Sequence, residues 1–145
     1  MTAACSLCGH VAPVVLRSWE TFIDAKVESA NSYSVNHGAA RFAYAKKRDA
    51  WMMRWRWAFA GKFATIDKAK RYVVFTRHYT GREREYDHAN MVGGMKGVVD
   101  AMVRVGLLVD DNPKWFEAEY RQIKSDRSGL HVRIEAAAPH GVPGV

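Results

Sequence analysis

No apolar run in this chain approaches the roughly 20 residues needed to cross a bilayer, so no membrane partner is expected. The first residues lack the basic start and long apolar core of a secretion signal, which makes a cytoplasmic protein the expectation. Cysteine is confined to Cys5 and Cys8, a Cys-x-x-Cys with His10 close behind. A closed zinc site needs four ligands, usually from two such pairs. There is no second pair, and His131 and His140 are poor candidates at that distance. A redox Cys-x-x-Cys wants a thioredoxin-like strand–helix context, which is absent too. The motif therefore reads as part of a loosely held N-terminal segment, with partial metal binding as the alternative. Internal repeats and low-complexity tracts are absent, and 145 residues suit one compact domain.

Acids are scarce where bases crowd. Residues 41–84 hold 13 Lys or Arg against three acids, Asp49, Asp67 and Glu83, a net of +10; the remaining positions sum to −3. A basic half beside an acid-bearing site is the pattern expected of an enzyme acting on a polyanion. The plainer alternative is a solvated surface with chance clustering.

The acid-bearing site lies in residues 87–111. Asp87 stands in a polar turn, and Met91, Met95, Val98, Met102 and Val105 then recur at helical spacing. Gly106 suits the position just past that helix. The short apolar run Leu107, Leu108 and Val109 predicts a buried strand. Asp110 and Asp111 close it, and Asn112-Pro113 breaks the chain. A strand–turn–helix–strand unit brings such acids to one edge of a sheet. Gathered carboxylates repel unless a divalent cation bridges them. Lys96, about two turns into the helix, is the cation of the block. Each residue also has a plainer role: Asp87 as a helix cap, Asp110-Asp111 as turn residues, Lys96 as the i,i+4 partner of Asp100.

This block resembles the RusA-type Holliday junction resolvases, or crossover junction endodeoxyribonucleases. That family carries an Asp-x-Asp-Asn turn, a Lys, an Asp-Ala-Leu helix segment and an Ala-Gly-…-Asp-Asp strand end. Asp87 falls on the first acid, Asn90 on the Asn and Lys96 on the Lys. Asp100-Ala101-Met102 matches the helix segment, and Gly106 with Asp110-Asp111 the strand end. Ala89 departs from the pattern, replacing the second acid, and Val92-Gly93-Gly94 is an insertion common beside this turn. The resemblance runs from about residue 71 to 136.

It implies an α+β fold, RusA-like, with two main helices packed on a small mixed β-sheet. It further implies a homodimer that cuts four-way junctions or related branched DNA with Mg²⁺. Asp87 and Asp111, helped by Asp110, would then be the metal ligands, and Asp87, Asp111 and Lys96 the catalytic set. Asn90, Arg82, Arg84, Lys46, Lys47 and Arg54 would contact DNA. A protein of the same fold that binds branched DNA but cleaves it poorly is the alternative, because Ala89 removes a carboxylate.

The rest of the chain supplies the scaffold. Residues 1–18 read as an irregular lead-in, 19–137 as the folded unit and 138–145 as a frayed tail. An edge strand is expected within 19–29 and a loop over 31–38, where Asn31 or Asn36 takes the DNA-facing Asn of the resemblance. Few helix breakers appear over 39–60, and Phe42, Ala45, Ala50, Met53 and Trp57 can share a face, with Lys46, Lys47, Arg48, Arg54 and Arg56 elsewhere on the cylinder as a basic face suited to phosphate contact. Trp51, Trp55 and Trp57 read as packing residues there, with base stacking between the arginines as the alternative. Residues 72–79 predict an inner strand that emerges at Arg77 and His78. Residues 114–124 predict another strand, 126–129 a hairpin turn and 130–136 a cleanly alternating strand.

Overall fold

A computed structural model describes residues 2–4, 11–13, 16–30, 38–60 and 68–137. In chain order the elements are β1 (Thr2–Ala4), β2 (Val11–Pro13), β3 (Leu16–Ile23), α1 (Gly38–Ala58) and β4 (Arg71–Tyr79). Then follow α2 (His88–Gly94), α3 (Lys96–Val105), β5 (Phe116–Lys124) and β6 (Gly129–Ala137). The fold is α+β, as the pattern predicts: a mixed four-stranded sheet carries the helices. Part of the expected irregular lead-in is paired, since β1 and β2 form an antiparallel ladder and β3 opens at Leu16. Cys5, Cys8, Asn31, Asn36 and the tail lie outside the described residues.

The sheet order is β3-β6-β4-β5, with β4 and β5 parallel and the other pairings antiparallel. Strand β6 alternates as its sequence demands: Leu130, Val132 and Ile134 are buried toward the helices, opposite Val73 and Phe75 of β4. Phe75 stacks on Tyr120 of β5 with ring centres 5.5 Å apart. Strand β3 forms an edge, as expected, and runs no further than Ile23.

Residues 126–129 do not form the predicted hairpin. Strands β5 and β6 are not neighbours; the chain leaves β5 and crosses the end of β4, where Ser125 N donates to Tyr79 O at 2.8 Å. Strand β6 then enters on the far side of β4, which satisfies both of its edges with ladders. A short polar link looks the same whether it turns back or crosses over.

Helix α1 occupies the expected span but buries the opposite face. Trp51, Trp55 and Phe59, at steps of four, enter the core, while Phe42, Met53 and Trp57 are exposed. Trp55 Nε1 donates to Val98 O of α3 at 3.1 Å, and its ring lies 5.9 Å from both Trp51 and Phe59. The helix predicted across 91–105 is broken at Met95 into α2 and α3.

Two glycines shape this region. Gly106 caps α3 in the left-handed region at φ 85°, as its position predicts. Gly94 lets the backbone of residues 28–29 lie on the end of α2: a Cβ there would sit 1.9 Å from Glu28 O. Gly94→Ala is therefore expected to lower stability by about 1–3 kcal/mol, read as an earlier urea midpoint with unchanged slope.

Candidate functional site

Asp87 is positioned from below by a buried arginine. Arg77 is 1% exposed, not emerging at a polar edge as its sequence position suggested. Its Nη1 donates to Gln122 Oε1 at 2.8 Å and to Arg84 O at 3.0 Å, and its guanidinium lies 3.5 Å from the Tyr86 ring centre. Gln122 in turn grips the Tyr86 backbone, accepting from Tyr86 N at 2.9 Å and donating to Tyr86 O at 2.7 Å. The Tyr86 hydroxyl donates to Val27 O at 3.1 Å. The residue after this clamp is Asp87, the N-cap of α2. Its two carboxylate oxygens accept from Asn90 N and Asn90 Nδ2, both at 2.8 Å. Asn90 is thus turned back onto Asp87. Arg82 and Arg84 are exposed on the preceding loop.

The second pair of acids follows α3. Leu107 and Leu108 are buried but form no strand: both backbone N–H groups donate to Met102 O, at 2.9 and 3.4 Å. Their apolar character serves a helix C-terminus folded back on itself, which from sequence looks like a short inner strand. Asp110 Oδ1 accepts from Asp111 N at 2.8 Å and Asp110 Oδ2 from Asn112 Nδ2 at 2.7 Å. The backbone N–H of Asp111 holds the Asp110 carboxyl below its ordinary value, and the Asn112 amide adds to this.

Asp111 lines two adjoining clefts. One, of about 330 Å³, runs between α3 and β5 and is lined also by Lys96, Asp100, Phe116 and Tyr120. The other, of about 300 Å³, is lined by Asp100, Asp110 and Asp111 together with Arg48 and Arg104. Lys96, the first residue of α3, is exposed. The i,i+4 pairing with Asp100 is not formed: among the described residues Lys96 makes no ion pair, and the Asp100 carboxylate accepts from the Tyr44 hydroxyl of α1 instead. The Lys96 ammonium lies 6.0 Å from the Tyr44 ring centre.

Sequence reasoning gives no site role to Asp100 or Arg104, and gives Arg48 only a phosphate contact on the basic face of the helix. The signal was available for two of them: Lys96, Asp100 and Arg104 step by four and so share one face of α3. Asp87 lines neither cleft. Among the described residues, no three of Asp, Glu, His and Cys stand close enough to hold one ion together. On α1, Lys46 and Arg54 are exposed, Arg54 lies 4.9 Å over the Trp51 ring, and Lys47 is paired with Glu28. Among the described residues no helix is long and apolar enough to cross a membrane. No protein-family model matches the chain, and no curated protein matches it significantly.

Proposed function

We infer that the chain is a Mg²⁺-dependent endonuclease acting on four-way junctions or related branched DNA, similar to the RusA-type resolvases that residues 87–111 resemble. The observation that carries this reading is Lys96, a cation without an ion pair among the described residues, lining one cleft with Asp111 and Asp100. The adjoining cleft joins three aspartates with Arg48 and Arg104. Mixed charge of this kind suits a phosphodiester and a cation together.

The donor chemistry fits Mg²⁺, which is commonly held by one or two carboxylates, with water and substrate phosphate completing its shell. Asp111 and Asp110 supply exposed, hard oxygens at the two clefts, whereas Asp87, at the start of α2, lines neither. Bound there, the ion would polarise the scissile phosphate and lower the pKa of the attacking water. Lys96 neutralises charge that develops on the phosphate. Tyr44 orients the Asp100 carboxylate beside it. Arg48 and Arg104 flank the second cleft, while Arg82, Arg84, Lys46, Arg54 and Asn90 contact the DNA backbone. A homodimer follows from the two-fold symmetry of a junction that must be cut twice.

A second reading is a structure-selective DNA-binding protein that cleaves poorly. It is favoured by Ala89 and by the engagement of both Asp87 oxygens with Asn90. A mobile four-way junction incubated with Mg²⁺ separates the two. The nuclease gives paired, symmetric nicks; tight binding with intact strands in both Mg²⁺ and Mn²⁺ leaves only the binding protein.

A further inference from the structure

Along one side of α1, Phe42, Lys46, Met53 and Trp57 fall in line at steps of four and seven, opposite the side that carries Trp51 and Trp55 inward. The apolar members are open to solvent: Phe42 is 81% exposed, Met53 54% and Trp57 79%. Arg41, Lys46, Arg54 and Arg56 stand exposed around them, and none forms an ion pair among the described residues. The single acid of the helix, Asp49, is bridged by Arg48 at 3.2 Å.

The charge decides what covers this face. A second copy docked across a two-fold axis would set these four cations against their own equivalents, which is unfavourable. A partner must instead be negative and offer flat apolar surface at the same time. Nucleotides freed from a duplex do both, since every base has a stackable face and every link a phosphate. Paired bases hide those faces within the stack.

We propose that this face of α1 is a stacking platform for unpaired nucleotides. Bases lie on Trp57 and Phe42, and the phosphates run along Lys46, Arg54 and Arg56. The two rings are 15 residues apart on the helix, a span of about 22 Å or roughly six nucleotide spacings at ~3.4 Å each. The platform extends the polyanion part of the reading above and is independent of hydrolysis.

The test uses the full chain without divalent ion, titrated into a labelled thymidylate dodecamer and into a duplex of the same length. Trp57→Ala and Phe42→Ala are each expected to weaken dodecamer binding about ten-fold, with duplex affinity held within about two-fold. Trp57→Phe, which keeps a ring, should retain most of the affinity. Because both positions are exposed, thermal melting of the variants should match the parent chain. Equal losses on the duplex, or no loss on either, overturn the platform. So does a fall in sedimentation mass in Trp57→Ala, which makes the face a contact between copies. A chain that fails to nick junctions yet shows the selective loss removes the nuclease and leaves the platform standing.

Discussion

Trp55→Ala is expected to lower stability by about 3–5 kcal/mol, the cost of emptying a large aromatic site in a core that relaxes only partly. Trp55 is 0% exposed, packs between Trp51 and Phe59, and donates to the α3 carbonyl of Val98. It is thus the residue that ties α1 to the helix carrying Lys96 and Asp100. Against a total of about 5–15 kcal/mol for a typical domain, that loss is large. The melting temperature should fall by roughly 6–20 °C, at about 2–4 °C per kcal/mol for a chain of this size. Trp57→Ala, two residues on, should change stability by no more than about 0.5 kcal/mol. The pair of melts therefore tests which face of α1 is inside. A larger loss at Trp57 than at Trp55 would show that the helix is turned the other way.

That contrast marks the limit of what periodicity reveals. Strand β6 was legible because Leu130, Val132 and Ile134 alternate with polar residues and only one face can be buried. Helix α1 was legible as a helix, yet both of its faces carry aromatics, so spacing alone did not choose between Trp57 and Trp55. The neighbour that decides is α3, more than 40 positions away in sequence, through the Trp55–Val98 bond. The link between β5 and β6 failed for a related reason. Four polar residues fit a hairpin locally, and only the pairing of β6 with both β3 and β4 shows that it crosses over. Leu107 and Leu108 are buried, as their apolar character predicts, but their backbone bonds go to Met102 rather than to a strand.

The site divides in the same way. The cap at Asp87, the turn at Asp110 and the left-handed Gly106 are local features, and their residue types announce them. What sequence did not announce is which charges meet. Lys96 leaves Asp100 to Tyr44, and Arg48 of α1 joins Asp110 and Asp111 at one cleft. Those meetings depend on how α1 lies on α3, and no spacing within residues 87–111 encodes it.

The second large effect is expected at that cleft. In the junction assay, Asp111→Asn should abolish nicking, because an amide keeps the shape but removes the negative charge that a divalent cation requires. Lys96→Met should lower the cleavage rate by about 10²–10³-fold with little change in junction affinity, since stabilising charge that develops during reaction affects the rate more than binding. The fold should tolerate both: Asp111 and Lys96 are exposed, and neither forms an ion pair among the described residues. Lys96→Arg keeps the charge but not the compact ammonium, and should recover only part of the rate. Single-turnover cleavage measured beside equilibrium binding separates the possibilities. If Lys96→Met weakens binding and leaves the rate of the bound complex unchanged, Lys96 is a phosphate contact only, and the catalytic role proposed for it is wrong.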